Sequence, residues 1–194
     1  MSDHDDHDHE HDELTDEESD AAIERAARKQ LARAQVRQYG DPVLRMRAAE
    51  VEAVDEEIRE LTDRMLELMH DADGIGLAAT QVGILRRFFV CSLDGVDTVI
   101  VNPVIAKAGK ATETDEEGCL SLGEVRVPVE RPTEITIEGL DREGQALSLE
   151  LEGLAARVVQ HELDHLEGTL IVDRTDAASR REALGRLRPR LALR

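Results

Sequence analysis

The sequence contains no tryptophan, one tyrosine and two phenylalanines, so a hydrophobic core has to be assembled from Leu, Val, Ile, Ala and Met. Cysteine is scarce as well. Cys91 and Cys119 are the only two in 194 residues, which excludes a disulfide framework, and no apolar signal segment opens the chain; a reducing cytoplasm is the expected setting. No run reaches the roughly 18 consecutive apolar residues of a membrane span, so a protein without membrane contact is expected. Positions 1–20 hold eleven acidic residues and no Lys or Arg. They carry most of the formal net charge of −19, leaving −8 for the other 174 residues. This balance argues against sequence-specific nucleic-acid binding, which needs a clustered basic surface, and leaves room only for a local basic patch that docks on RNA.

What is present divides the chain into four stretches. Residues 1–20 are dense in like charge and nearly free of apolar side chains, so they cannot offset the entropy of ordering and are expected to be disordered. Their His4, His7, His9 and His11 alternate with Asp and Glu, read as a solvated acidic tail, with loose capture of metal ions as the alternative. Residues 21–34, rich in Ala, Arg, Lys and Leu, read as a helical extension. One compact domain is expected over 35–175, entered through the turn Tyr39-Gly40-Asp41-Pro42. A helical segment is expected over 176–194, its amphipathic part at 177–187.

Within the domain, Ile58, Leu61, Met65, Leu68 and Met69 recur at helical spacing between positions 55 and 70. Residues 87–93, 98–102, 134–140 and 146–151 are short, β-branched or alternating, and read as strands. Asp141-Arg142-Glu143-Gly144 joins the last two as a hairpin loop. From 153 to 167 the pattern is helical again, with Leu154, Val158 and Leu163 among its apolar positions and Gly168 placed to stop it. The expected class is mixed, with an antiparallel sheet.

His161-Glu162-Leu163-Asp164-His165 is an HExxH element, and on a helix the i, i+4 spacing puts both imidazoles on one face, close enough to share an ion. Glu162 then lies beside that ion without binding it and can take a proton from a water that the ion acidifies. The bland alternative is a helix with two satisfied histidines. A catalytic site needs a third protein ligand. Downstream of Gly168 the candidates are Asp173, Asp176 and Glu182; upstream, Glu117-Gly118-Cys119-Leu120-Ser121 offers a thiol in a tight segment, although a cysteine by itself is more often a small buried residue.

Three segments together narrow this choice. Gly74-Ile75-Gly76-Leu77-Ala78-Ala79-Thr80-Gln81, Glu117-Gly118-Cys119-Leu120-Ser121 and Gln160-His161-Glu162-Leu163-Asp164-His165 resemble, in order and spacing, the three motifs of the peptide deformylases. The resemblance extends from about Tyr39-Gly40-Asp41-Pro42-Val43-Leu44 to Val172. It implies an α+β fold in which antiparallel β-sheets wrap around a central helix carrying HExxH, with an N-terminal and a C-terminal helix.

The resemblance also implies an enzyme that removes the formyl group from the N-terminal formyl-methionine of nascent chains, releasing formate. Cys119, His161 and His165 would hold one divalent ion, Glu162 would act as base and then acid, and Gln81 and the Leu120 backbone N–H would stabilise the oxyanion. Gln81 read alone is a polar cap on a Gly-rich turn. Gly74 and Gly76 would let the substrate backbone approach, and Ile75, Leu154 and Val158 would line the methionine pocket, although periodicity alone makes them plain core residues. Arg126 would sit by the cleft. The ligand set suits Fe2+, Zn2+, Ni2+ and Co2+ alike; the resemblance favours Fe2+, with the others in purified protein. Expected partners are nascent formyl-methionyl peptides, with docking on the ribosome.

Departures from the usual pattern fall at the cleft rim. Leu122 is followed by Gly123 where an apolar residue and Pro are usual, Val127-Pro128-Val129-Glu130-Arg131 replaces the more usual Val-Pro-Arg, and Asp115 stands where many relatives are apolar or small. Cys91 reads as an inert core thiol and His70 as a helix-end residue. Two other functions stay in view: a zinc endopeptidase of the HExxH kind, and a non-enzymatic metal-binding or ribosome-associated protein on the same scaffold.

Overall fold

The computed structural model describes residues 16–187. Among them the chain forms four α-helices and seven strands: α1 (Asp16–Gln35), α2 (Glu56–Asp71), β1 (Gly76–Ala78), β2 (Phe88–Leu93), β3 (Val96–Ala108), β4 (Thr112–Gly118), β5 (Arg126–Pro132), β6 (Glu134–Leu140), β7 (Ala146–Glu152), α3 (Gly153–Leu166) and α4 (Ala177–Leu187). The acidic tail falls largely on residues 1–15, outside the described residues. Helix α1 starts at Asp16, five residues before the expected helical extension.

Helix α2 is set by its sequence at both ends. The Asp55 side chain accepts from the Ile58 N–H at 3.0 Å as N-cap, Glu56 and Glu57 occupy the first turn, and Ile58, Thr62, Met65 and Met69 are its buried face. His70 lies in its last turn, with Nε2 2.9 Å from Asp97 Oδ2. Helix α3 follows β7 directly and is buried along most of its length. It ends in paired bonds from the Gly168 N–H to the His165 carbonyl (3.1 Å) and from the Thr169 N–H to the Asp164 carbonyl (2.9 Å), with Gly168 at φ +72°. This Schellman arrangement requires the left-handed conformation that Gly adopts without penalty.

The strands form an antiparallel five-stranded sheet in the order β1-β2-β3-β6-β7 and a separate antiparallel pair, β4-β5. The 141–144 hairpin turn joins β6 and β7, closed by the Asp141 N–H donating to the Gln145 carbonyl at 2.9 Å. Three strands lie where no strand was expected. β4, Thr-Glu-Thr-Asp-Glu-Glu-Gly, is polar and almost wholly exposed, so it carries no hydrophobic alternation, and β5 contains Pro128 and Pro132, which read against a strand. β1 is only three residues long.

Apolar packing is split into three groups. Phe89, Cys91, Ile100, Ile137 and Val159 join one face of the large sheet to α3; Ile58, Met65, Met69, Phe88 and Val90 join the other face to α2; Leu44, Cys119, Val127, Val129 and Val172 fill the space around β5. Helix α3 therefore contacts both sheets. Cys91 is fully buried, and burial pushes its thiol far up from the ordinary range, in keeping with an inert core residue.

Two glycines give opposite predictions. A Cβ at Gly168 would lie 2.7 Å from the Arg45 carbonyl oxygen, whereas one at Gly185, inside α4, meets nothing within 4 Å. Gly168→Ala should destabilise the fold by roughly 1–3 kcal/mol, and Gly185→Ala should stabilise it by about 0.5–1 kcal/mol. Urea unfolding midpoints of the two variants check both signs; a Gly168→Ala protein as stable as the parent would contradict the helix-end geometry described here.

Candidate metal centre

Strand β4 runs out through Gly118 into Cys119, which is extended at φ −146° and starts a short turn over Leu120–Leu122. Helix α3 presents His161 and His165 one turn apart. Their Nε2 atoms are 3.2 Å from each other, and His165 Nε2 is 3.2 Å from Cys119 Sγ. One donor atom from each residue lies within 4.8 Å of the others. Metal–ligand bonds of about 2.0–2.3 Å in a tetrahedron separate ligand atoms by about 3.3–3.8 Å, so this spacing fits a shared ion. A thiol with two imidazoles also suits a divalent transition metal.

The orientation of His161 is fixed from behind. Its Nδ1 is 3.0 Å from Glu117 Oε2, and an ionised carboxylate only accepts, so Nδ1 carries the proton and the Nε2 lone pair points at the cluster. Glu117 is itself held by Arg131 through Nε (2.6 Å) and Nη2 (2.9 Å) and by Arg157 Nη1 (2.8 Å). Burial works to raise the Glu117 pKa, but the hydrogen bonds from Arg131 and His161 outweigh it and hold the group at about 2. Arg131 also donates to Asp164 at 2.9 Å, and Asp164 accepts from Arg174 at 2.5 Å. Burial lowers the His165 pKa well below its usual value, and the neighbouring His161 adds to this. A neutral imidazole is the ligand form.

Glu162, next in sequence to His161, lines the same cleft. It is 4% exposed, its Oε2 has no hydrogen-bond partner among the described residues, and burial pushes its pKa up to about 7. Gly76 faces it so closely that any Cβ there would collide with the carboxylate. Gln81 is fixed at both ends of its amide: Oε1 accepts from the Ala78 N–H at 2.9 Å, and Nε2 donates to Ser121 Oγ at 3.1 Å, with Cys119 Sγ at 3.6 Å. The capping role and a position beside the cluster thus coexist in one side chain.

A cleft of about 760 Å³ opens over these groups. Every candidate residue lines it except His165, which is buried at 2% exposure. The candidates for the methionine pocket separate: Val158 is buried, but Ile75 (50%) and Leu154 (66%) are exposed at the cleft wall. They are not the core residues that periodicity alone would make them. Asp173, one of the alternative third ligands, lies instead in a cluster with Arg45 and Arg180.

The Glu117, Arg131, Arg157 and Asp164 network was not foreseen from the sequence. Two signals pointed to part of it. In an extended segment Glu117 and Cys119 fall on one face, and Arg157 is four residues before His161 on the helix.

The polypeptide deformylase family model matches residues 33–181. The peptide deformylase of Thermotoga maritima is 47% identical over 145 residues, spanning 75% of this chain and 88% of that protein. Peptide deformylase 1 of Corynebacterium efficiens is 45% identical over 157 residues, spanning 79% of this chain and 93% of that protein. The crystal structure of the Thermotoga maritima enzyme superposes with a TM-score of 0.71 over 73% of this chain and 96% of that one. The family-model match runs through the Cys119 turn and the histidine helix alike, and on it and these relatives this chain belongs to the polypeptide deformylase family.

Proposed function

We propose that this chain hydrolyses the N-formyl group of formyl-methionine at the start of newly made polypeptides, releasing formate. The observation that carries the reading is the convergence of Cys119, His161 and His165 at the floor of a cleft in a chain of this family. The family uses a divalent metal, and we take Fe2+ as the physiological ion, with Zn2+, Ni2+ or Co2+ able to replace it in purified protein. When bound by those three residues, the ion supplies a Lewis acid and an acidified water.

The remaining steps belong to the protein. Glu162 takes the proton of the attacking water and returns it to the departing amine, as base and then acid. Its buried position and free Oε2 suit both. Negative charge that builds on the formyl oxygen is met by the Gln81 amide, already immobilised by Ala78 and Ser121, and by the Leu120 N–H. Among the described residues the outer edge of β1 has no partner strand, so Gly74, Ile75 and Gly76 offer backbone groups to an extended peptide, which joins as an added strand. Val158, Ile75 and Leu154 accept the methionine side chain, and Arg126 stands at the cleft wall.

On this reading α3 is the central HExxH helix around which both sheets wrap. No helix among the described residues is long and apolar enough to cross a membrane; we place the protein in the cytoplasm, acting on nascent chains with docking on the ribosome.

Formate release from formyl-Met-Ala, after anaerobic loading with iron(II) or zinc, tests the activity. Glu162→Ala should keep the metal and lose turnover by about 10²–10⁴-fold; unchanged turnover would remove Glu162 from the acid–base role, and no formate release from the metal-loaded parent would favour a non-enzymatic scaffold. Cys119→Ala should lose the metal on dialysis, as read by elemental analysis, whereas full retention would favour an endopeptidase whose third ligand lies elsewhere. Glu117→Gln removes the charge that orients His161 and should weaken metal affinity by about 10–100-fold in a chelator competition. Affinity equal to that of the parent would refute the orienting role.

A further inference from the structure

Helix α1 lies almost entirely before the stretch that the family model matches. Most of its described surface is exposed, yet Lys29 and Arg33 line the cleft beside Gly74. Arg25, Lys29 and Arg33 recur every fourth residue and so share one face. That face meets the C-terminal end of α2, where the helix dipole favours cations: Lys29 Nζ is 2.5 Å from Asp73 Oδ2, and Arg33 Nε makes a long contact of 3.5 Å with the Ala72 carbonyl. Asp73, at φ +56°, is the residue before Gly74. Lys29 thus balances Asp73. Arg33 pairs with no carboxylate among the described residues, and the Ala72 carbonyl is its one side-chain hydrogen-bond partner there.

The open edge of β1 sets a register. Gly76 stands against Glu162 at the reacting centre, and an extended peptide paired along this edge advances one residue for each residue of the strand. A substrate whose methionine lies beside Gly76 and whose chain leaves toward Gly74 therefore passes Gly74 with its third residue and Asp73 with its fourth. We infer that Lys29 and Arg33 form a subsite for anionic side chains at those two positions, supplied by an N-terminal helix most of which precedes the stretch that the family model matches. The inference rests on the deformylase reading above. Asp115, Glu116 and Glu124 line the same cleft and oppose the effect, and exposed charge pairs are weak and screened by salt, so the preference is a matter of a few-fold.

The test compares formate release by the metal-loaded full chain from formyl-Met-Ala-Asp-Asp-amide and formyl-Met-Ala-Lys-Lys-amide. The parent should favour the acidic peptide by about three- to tenfold in kcat/KM at low ionic strength, through KM, and by less in about 0.5 M salt. Arg33→Glu should abolish or invert this ratio, and Arg33→Lys should retain most of it. Equal rates in the parent, a preference for the basic peptide, or a ratio that survives Arg33→Glu each overturn the subsite while leaving deformylation intact. If neither peptide releases formate, the activity itself is misassigned and the subsite falls with it.

Discussion

The site depends on one buried carboxylate. Glu117 accepts from two guanidiniums and from the imidazole of His161, and those partners come from β5 and α3. Because Arg131 also reaches Asp164, three residues after His161 on the same helix, the contacts close into a ring: Glu117, Arg131, Asp164, the helix, His161 and back. Rotation of α3 about its axis, or a slip of β4 along β5, breaks at least one of these bonds and leaves a charge uncompensated in the interior. Losing one partner of such a buried pair costs about 3–5 kcal/mol, comparable with the whole stability of a marginal domain. The network is therefore a constraint on geometry more than a source of stability. It brings the sulfur at the end of β4 and the two nitrogens on α3 to the spacing that a shared ion needs.

This division of labour explains which parts were legible in the sequence. Helices α2 and α3 announce themselves, because each buries a repeating stripe against a sheet, and the i, i+4 histidines need only a helix to converge. The hairpin at 141–144 is equally local. β4 gives no such signal, since five of its seven residues are Thr, Asp or Glu facing solvent, and only Glu117 turns inward. β5 buries Val127, Val129 and Arg131 in alternation, but its prolines mask the pattern. The pairing of Glu117 with Arg131 and Arg157 is a tertiary fact; a buried carboxylate and a surface one look the same in a sequence. Recognition of Cys119 as the third ligand came from the three motifs taken together, because residue type alone left Asp173, Asp176 and Glu182 open.

Ile75 and Leu154 show the limit of reading hydrophobicity as burial. Each is apolar and placed where periodicity suggests a core, and each is exposed beside the cleft. Apolar side chains left in solvent around a concave surface mark a place where another apolar group settles, and here that surface ends at the metal ligands. β1 makes the same point for the backbone. An open sheet edge invites pairing with any strand, and proteins shorten or charge such edges to avoid it. Three residues are enough to pair with a peptide and too few to template aggregation.

Gly76 then links edge and chemistry. With no side chain, it lets the Glu162 carboxylate lie directly against the strand, where burial holds its pKa near 7 and one oxygen has no partner among the described residues. A folded domain gains nothing in stability from an unsatisfied buried carboxylate, and ordinary core positions exclude it. The surrounding scaffold tolerates it because α3 is anchored elsewhere, at Glu117, at Asp164 and at the Gly168 turn. The residue least favourable to folding is thus carried on the most firmly constrained helix, directly beside the edge strand β1.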